Sequence, residues 1–476
     1  MPPSPHATVV SLPTLADVEG YERKEQKIWQ HLRSGYPRFV RNQLVAQAAT
    51  RAAEALKRAG ELFPLASRRA AEKLLAKSGI HHATIDAAGD WVLVTVPAGP
   101  ANETFSKFIQ HTGSLISSRQ AEAYLNNQPT PAKAAEVSIA TIREACAPFF
   151  AGAQSSDILI SLSGMNAVAA AIAAVNAVQL PRGKNVWIQL GWLYVDSARL
   201  FEKAAETQHA FVANVQDLDA VEKLLAQGNV AAVFTETPNN PQLETADIFA
   251  LRRLCDRYGA KLILDPSSVG ITILDLLPHA DMVCSSLTKY AASRGDVMAG
   301  LLVVNPSRPD AAALLKVARE ELEPLHYLDA QVLAEQVKRI GDVSQTFSRN
   351  AAALSKRLAQ HPAIRKVRTA DTGPTAQNFK ALQHKGAGAG ALITIELQED
   401  MRGVYDKLDL VKGPSFGVEF TIASPFLWLA HFSEVTSPEG RAAVRAAGLD
   451  PDLLRISVGL EPTEEIWSAF EVALKK

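Results

Sequence analysis

Lys289 follows a short apolar run, ADMVC at 280–284, and is flanked by the hydroxyl residues Ser286 and Thr288. The run is typical of a buried strand, so the lysine is expected near the end of one. A lysine that loses hydration on burial favours its neutral amine, which is a nucleophile and can form a Schiff base with an aldehyde. A lone lysine of this kind is more often a surface side chain with its stem along apolar surface. Its interpretation therefore depends on the residues that accompany it.

Other strand-like runs also end in residues with useful chemistry. Asp265 closes AKLIL at 260–264, where a carboxylate could pair with a protonated ring nitrogen or simply cap a helix. A Ser-Gly-Met segment at 163–165 opens an alanine-rich helix, whose first N–H groups suit a phosphate, and Gly164 allows close approach. An ordinary turn is the alternative there. Asn239 and Asn240, between two prolines, are likewise common in turns.

Together these features describe one molecule. A phosphate cradle, an acid for a pyridinium nitrogen and a lysine for an aldehyde are what pyridoxal 5′-phosphate (PLP) requires. This cofactor is the electron sink of its reactions, while the protein supplies the lysine and the acidic partner of the ring nitrogen. The sequence therefore predicts a PLP enzyme in which Lys289 holds the cofactor and Asp265 faces its ring nitrogen.

The elements that must position these residues form an alternating pattern. Apolar strand-like runs alternate with helices such as 164–178, 217–227 and 246–258, which is typical of a mainly parallel sheet covered on both faces. Ligands of such sheets bind at the carboxyl ends of the strands. The predicted strands are 157–163, 185–191, 209–215, 230–237, 260–266, 280–286 and 299–305.

The remaining chain predicts two further parts. Residues 1–135 are expected to form an N-terminal arm and an inserted α+β segment, with a helix at 43–58, a hairpin at 85–97 and a helical stretch at 105–125 that breaks near Gly113. Residues 136–320 would be the PLP-binding large domain. Residues 321–476 would form a smaller α+β C-terminal domain with strands at 391–397 and 453–461.

Composition excludes several classes of function. The net charge is −1 over 476 residues, which argues against nucleic acid or an anionic membrane as a bulk electrostatic partner. The three cysteines lack CxxC spacing and are expected to be buried thiols in a reducing compartment. The N-terminus is not typical of a secretory signal, and the apolar run 167–178 is too short to span a bilayer. We expect a cytoplasmic protein without a metal site.

The motifs resemble those of the Cys/Met-metabolism PLP enzymes, the cystathionine γ-synthase-like family, and in particular its long fungal branch. The resemblance covers about residues 11–461 and implies PLP-dependent transferase fold type I, the aspartate aminotransferase-like α/β fold. The segments that resemble the fungal branch are SLPTLADVEGYE, SGYPRF, QHTGSLISSR and SSLTK. The family motifs are SGM at 163–165, LYVDS at 193–197, ETPNNP at 236–241, Asp265 with Ser267, SxTK at 286–289 and RISVGLE at 455–461.

The resemblance implies a role for each matched residue. Tyr194 would stack on the cofactor ring and assist catalysis beside Lys289, and Asn240 would lie near the phenolic oxygen. Arg455 would hold the substrate α-carboxylate by a bidentate fork, and the shortened loop at Ser415 would help to bind substrate. The residues implied to contact the cofactor are Gly164, Met165, Tyr194, Asn240, Asp265, Ser267, Ser286, Thr288 and Lys289, together with Tyr36 and Arg38 of an arm from a neighbouring subunit.

The implied activity is γ-replacement of an O-acylhomoserine by cysteine to give cystathionine. Lys289 would remove the Cα proton and move protons at Cβ. A cystathionine or methionine γ-lyase and an O-acylhomoserine sulfhydrylase share the same cofactor residues and remain alternatives. The arm implies a homo-oligomer, a dimer or a tetramer of two dimers. A non-catalytic protein on the same scaffold is disfavoured by Lys289, Asp265 and Arg455, and a Rossmann-type nucleotide binder by the lack of GxGxxG.

His431 is a further candidate for an acid or base. His431 lies in the apolar, aromatic-rich segment PFLWLAHF. Although histidine is a common acid or base, this context favours a histidine packed in the core. We therefore predict no catalytic role for it.

Overall fold

The computed structural model describes residues 4–32, 40–131, 133, 135–202 and 206–475. It contains three sheets, of three, seven and five strands. The N-terminal elements are α1 (Leu15–Glu22), α2 (Gln26–Trp29), α3 (Gln43–Leu56), β1 (Glu61–Leu65), α4 (Arg68–Ser78), β2 (Thr84–Ala88), β3 (Trp91–Val96), α5 (Ala101–Thr112), α6 (Ser118–Leu125) and α7 (Glu136–Cys146).

The three-stranded sheet has the order β1-β3-β2. It includes the predicted hairpin, in which Ala88 pairs with Trp91 across the turn. The helical break is confirmed at Gly113, which ends α5 in a left-handed conformation with φ of 60°. Strand β1 was not predicted because it contains Pro64, which argues against a central strand. The structure accommodates the proline by placing β1 at the edge of the sheet.

The seven-stranded sheet contains all seven strands predicted for the large domain. Its order is β4-β10-β9-β8-β7-β5-β6, and β10 alone runs antiparallel to its neighbours. Its elements are β4 (Ile158–Ser161), α8 (Gly164–Gln179), β5 (Val186–Leu190), α9 (Val195–Glu202), β6 (Gln208–Val212), α10 (Leu218–Leu225), β7 (Val230–Glu236), α11 (Ile248–Tyr258), β8 (Lys261–Asp265), β9 (Met282–Ser286), β10 (Gly300–Val304), α12 (Ala311–Glu321) and α13 (Tyr327–Val337).

Helix α8 is the central helix of one of the large apolar clusters that cover this sheet. By length and composition alone, residues 164–182 could cross a membrane. However, α8 packs its alanines and Val168 against Trp187, Phe234 and Ile263 of the sheet. This packing agrees with the prediction of a core helix. The three cysteines are buried free thiols, also as predicted.

The five-stranded sheet has the order β11-β12-β15-β14-β13 and contains both strands predicted near the C-terminus. Strands β11, β13 and β14 were not predicted. Three of the five residues of β11 are arginine or lysine, so it has no apolar run, and the two or three residues of β13 and β14 are too few for a recognisable pattern. Its elements are α14 (Ile340–Gln360), β11 (Ile364–Arg368), α15 (Ala376–Leu382), β12 (Leu392–Leu397), α16 (Met401–Lys407), β13 (Val411–Lys412), β14 (Ile422–Ser424), α17 (Phe426–Ala430), α18 (Phe432–Val435), α19 (Pro438–Ala446), β15 (Leu454–Ser457) and α20 (Thr463–Ala473).

A buried ion pair attaches the N-terminal sheet and its helices to the large sheet. Arg119 of α6 donates to Asp296 Oδ2 at 3.0 Å and to Asp329 Oδ1 at 3.1 Å. The side chain of Asp329 is 3% exposed. Because a carboxylate this deeply buried requires a cationic partner, Arg119 is expected to contribute strongly to the attachment.

We predict that Arg119→Met lowers the free energy of unfolding by about 3 kcal/mol, since it leaves the buried Asp329 carboxylate without its guanidinium. Urea unfolding followed by circular dichroism measures the change. Arg58→Met is the matched control because Arg58 pairs with Asp86 at the surface, where an ion pair contributes little. Equal unfolding midpoints for the two variants would contradict the assigned role of Arg119.

Candidate active site

A cleft of about 1140 Å³, open solvent included, lies at the carboxyl ends of the large sheet's strands. It also borders β14 and β15 of the five-stranded sheet. Tyr36 and Arg38, the predicted arm, lie outside the described residues. The other predicted site residues all line this cleft: Gly164, Met165, Tyr194, Asn240, Asp265, Ser267, Ser286, Thr288, Lys289, Ser415 and Arg455.

Lys289 lies three residues beyond the end of β9 and is 5% exposed. It is therefore not the surface lysine that a lone residue would suggest. Its Nζ donates to Ser415 Oγ at 2.7 Å and lies 4.9 Å from the centroid of the Phe416 ring. The amine is thus held inside the cleft by a loop that precedes the five-stranded sheet's β14.

Two carboxyl groups lie side by side at the sheet end. Asp265 is the last residue of β8, and Glu236, the last residue of β7, is its direct partner in the parallel pairing. Asp265 Oδ1 accepts the backbone N–H of Ser267 at 2.8 Å. Burial raises the pKa of Asp265 to about 6, although the hydrogen bonds from Ser267 oppose the shift. A cation placed in the cleft would reverse this effect.

Glu236 is a site residue to which the sequence analysis assigned no role. Its Oε1 accepts the backbone N–H of Tyr194 at 2.5 Å, so it fixes the turn that carries the predicted stacking residue. Burial and then the neighbouring Asp265 raise its pKa well above the usual range, while Arg455 opposes the rise. The signal that identified Asp265, an acid closing a buried strand, applies equally to Glu236 and could have identified it.

The turn before α8 lies very close to the backbone and side chain of Ser286. Ser163 caps the helix, since its Oγ accepts the backbone N–H of Asn166 at 3.1 Å. A Cβ on Gly164 would come within 2.8 Å of the Ser286 Cβ, so only glycine fits there. The start of α8 therefore lies close to the segment that leads to Lys289, and a helix start of this kind suits the phosphate that was predicted there. Thr288 supports this segment by accepting the N–H of Ala299 at 3.0 Å.

Arg455 of β15 forms the opposite wall. It is 4% exposed, and its Nη2 donates to the Ser415 carbonyl oxygen at 2.8 Å. Its Nη1 reaches Asn240 Oδ1 at 3.5 Å. The guanidinium carbon lies 5.0 Å from the ring centroids of both Phe416 and Phe426. Arg455 is thus a guanidinium between two aromatic rings, held by the residue that also holds Lys289.

His431 differs from its prediction. It is half-buried in the cleft wall rather than packed in the core, with its ring 5.4 Å from that of Trp192. Burial lowers its pKa, which favours the neutral imidazole. The prediction of a core position was wrong because α17 and α18 meet at this residue, so the helical path of the aromatic segment is interrupted there.

The described residues fit PLP. Asp265 is a buried carboxyl whose pKa is raised by burial, and a protonated ring nitrogen would supply the opposite charge that favours its ionised form. Gly164 leaves room at the start of a helix, where a phosphate is stabilised. Lys289 lies on the wall of the same cleft, within reach of an aldehyde. These are the three requirements from which the cofactor was predicted.

Comparisons with known proteins agree with this fit. The model of the family described as "Cys/Met metabolism PLP-dependent enzyme" matches residues 140–475. The chain is 36% identical over 484 residues to the L-2-amino-4-chloropent-4-enoate dechlorinase/desaturase of Streptantibioticus cattleyicolor, a match that covers 99% of this chain and 97% of that protein. It is 32% identical to the cystathionine gamma-synthase of Neurospora crassa over 68% of this chain and 53% of that enzyme.

Solved structures show the same fold. The cystathionine gamma synthase of Xanthomonas oryzae pv. oryzae, in complex with aminoacrylate and cysteine, superposes with a TM-score of 0.61 at 24% identity, over 71% of this chain and 85% of that one. The cystathionine gamma-lyase of Lactobacillus plantarum gives 0.58 at 23% identity, over 66% and 81%. These structures confirm the predicted fold type I, and the family match confirms PLP as the cofactor.

We predict that cofactor-free protein becomes less stable as pH rises from about 4 to about 6. The unfolded chain ionises Asp265 near pH 4, while burial keeps it protonated in the folded chain up to about pH 6. In this window the folded state binds the extra proton, so raising the pH favours unfolding, by about 3 kcal/mol in total for this group.

Urea unfolding of cofactor-free wild type and Asp265→Asn across this pH range measures the effect. The asparagine can still accept the N–H of Ser267 but does not titrate. We expect a shallower pH dependence in the variant. Parallel curves for the two proteins would contradict the shift assigned to Asp265.

We predict that Lys289→Met abolishes the covalent attachment of PLP and lowers activity by about 1000-fold or more, the contribution of a positioned acid–base group combined with a lost nucleophile. Borohydride reduction followed by peptide mass spectrometry locates the attachment. Lys412→Met is the matched control, because Lys412 is equally buried but donates its Nζ to the Tyr405 carbonyl and is not among the residues that line the cleft. Attachment at another lysine would contradict the assignment.

Proposed function

The chain belongs to the Cys/Met metabolism PLP-dependent enzyme family, and on that premise we propose that it eliminates a small leaving group from the γ-carbon of an L-α-amino acid. The observation that carries this proposal is the charge of the cleft. Among the described residues that line it, Lys289 and Arg455 are the only lysine and arginine. One guanidinium suits one carboxylate, which is what a single amino-acid substrate brings.

The apolar side of the cleft supports the same proposal. Phe416, Phe426 and Leu429 line it beyond Arg455, with Met298 and Pro414 nearby. These walls offer no ionic partner to the substrate side chain, so they favour a short, uncharged γ-substituent. The dechlorinase/desaturase of similar length acts, by its name, on an amino acid with chlorine at the γ-carbon.

PLP, when bound, supplies the electron sink that makes the α-proton removable. The residues of this chain would bind the substrate and transfer its protons. Arg455 would hold the α-carboxylate, and the Lys289 amine would remove the Cα proton and move protons at Cβ. Asp265 would keep the ring nitrogen protonated, and Glu236 would hold the Tyr194 turn against the ring. The Cγ–X bond breaks, X leaves with the bonding electrons, and HX is lost in the net reaction.

Ser415 contacts both the proton-transferring Lys289 and the carboxylate-binding Arg455. Its hydroxyl accepts from Lys289 Nζ and its carbonyl accepts from Arg455. We infer that it sets the distance between the proton-transferring amine and the carboxylate-binding guanidinium. Orientation of this kind accounts for a large part of enzymatic rate enhancement.

γ-Replacement of an O-acylhomoserine by cysteine is the second candidate, and the similarity to the Neurospora synthase favours it. It requires the site to bind cysteine, which brings a second carboxylate. The described part of the cleft has no second arginine or lysine for it, although Arg38 lies outside that part. Sulfide carries no carboxylate, so an O-acylhomoserine sulfhydrylase would not need a second carboxylate-binding cation. A γ-lyase needs no second substrate at all.

We also propose a homo-oligomer in which Tyr36 and Arg38 complete the cofactor site of a neighbouring subunit, as the family resemblance implies. A dimer, or a tetramer of two dimers, would provide this arrangement. The three buried thiols are compatible with a reducing, cytoplasmic compartment.

We expect holoenzyme to release the leaving group from a γ-substituted L-amino acid at a rate independent of added thiol. The test presents L-2-amino-4-chloropent-4-enoate, cystathionine and the O-acetyl, O-succinyl and O-phospho esters of homoserine, each alone and with cysteine or sulfide. Chloride, acid or thiol release and new thioether are quantified together. Release that occurs only with cysteine, with one thioether formed per turnover, would establish γ-replacement and overturn the elimination proposal.

A further inference from the structure

Asp196 is a buried acid that directly follows the turn carrying Tyr194. It lies in the first turn of α9 and is 2% exposed. A carboxylate at a site this deeply buried needs donors of its own. The origin of these donors indicates which segments Asp196 holds together.

The donors come from the inserted N-terminal segment. Gln110 of α5 donates from Nε2 to Asp196 Oδ1 at 2.9 Å. His111, the next residue, is 4% exposed and places Nε2 at 3.7 Å from the same oxygen. The C-terminal end of α5 therefore holds the start of α9, two residues after Tyr194.

The same end of α5 holds a second turn of the cleft. Ser163, the cap of α8, donates its hydroxyl to the Gly113 carbonyl oxygen at 3.1 Å. The approach is so close that a Cβ on Gly113 would lie 2.1 Å from Ser163 Oγ. Gly113 also has a φ of 60°, a conformation that glycine adopts without strain. Both the packing and the backbone thus require glycine at this contact.

These two turns follow strands that are not neighbours. The turn at Ser163 follows β4 and the turn at Tyr194 follows β5, and four strands, β10, β9, β8 and β7, lie between them in the sheet. Hydrogen bonds within the sheet therefore do not directly set the distance between the turns. The end of α5 contacts both turns and thereby relates the phosphate-side turn to the ring-side turn, in addition to the direct contact of Ser197 Oγ with Met165 Sδ at 3.5 Å.

We propose that Gln110 and His111 are positioning residues for the cofactor site, and that the inserted segment fixes the phosphate and ring turns relative to each other. This inference rests on the proposed cofactor roles of Tyr194 and of the Ser163 turn. It assigns the insertion a function in cofactor binding rather than a purely peripheral one.

The test is titration of PLP into cofactor-free full-length protein, followed by absorbance and by the visible circular dichroism of the bound cofactor. Gln110→Ala should raise the PLP dissociation constant roughly 10-fold, the factor expected for one hydrogen bond to a charged group. The dichroic band should weaken because the ring is held in a less fixed orientation. Asp196→Asn keeps an oxygen for Gln110 and should bind PLP more tightly than Asp196→Ala.

Gln120→Ala is the matched control. Gln120 makes the same kind of bond, from Nε2 to Asp90 Oδ1 at 3.2 Å, but within the inserted segment and away from both turns. It should leave PLP affinity and the dichroic band unchanged. PLP affinity of Gln110→Ala within twofold of wild type, or equal losses in Gln110→Ala and Gln120→Ala, would overturn the inference. The titration uses no substrate, so failure of the proposed elimination would appear separately, as a wild type that binds PLP without releasing a leaving group.

Discussion

The site depends on the burial of two carboxyl groups, Asp265 and Glu236, at adjacent strand ends of one sheet. Burial raises the pKa values of both acids, and the neighbouring Asp265 raises that of Glu236 further. The arrangement becomes favourable when the cleft contains a cation next to Asp265, while Glu236 remains the neutral acceptor of a backbone N–H. The pair therefore makes the empty site electrostatically unsatisfied and the PLP-loaded site complete. Placing the acids at strand ends gives them a rigid separation that a loop would not provide.

Much of this could be predicted from the sequence because buried parallel strands are continuous apolar runs. All seven strands of the large sheet were predicted, and polar residues at their ends identified the cleft. The edge strand β1, the charged β11 and the short β13 and β14 were missed. A proline in β1, the lack of an apolar run in β11 and too few residues in β13 and β14 leave no periodic signal. His431 was misjudged for a related reason: local composition indicates an apolar neighbourhood but not where a chain turns outward.

The contacts between distant segments were beyond sequence reasoning altogether. Nothing in the motif at 415–419 indicates that Ser415 contacts both Lys289 and Arg455, since 126 and 40 residues respectively separate the partners. Likewise, the sequence does not indicate that Asp196 contacts Gln110 and His111 at the end of α5. The motif residues were identified by type and spacing, whereas the residues that hold them required the three-dimensional structure.

The dual contact of Ser415 has a consequence for how this enzyme can diversify. Its backbone has a φ of 100°, uncommon for a residue with a side chain, so the loop has little freedom to adjust one partner while leaving the other in place. A mutation there moves the amine and the guanidinium as a linked pair. Altered substrate preference gained through this loop should therefore come with an altered turnover rate, and lineages that acquire new substrates are better served by changes at Leu429, a cleft residue outside this loop.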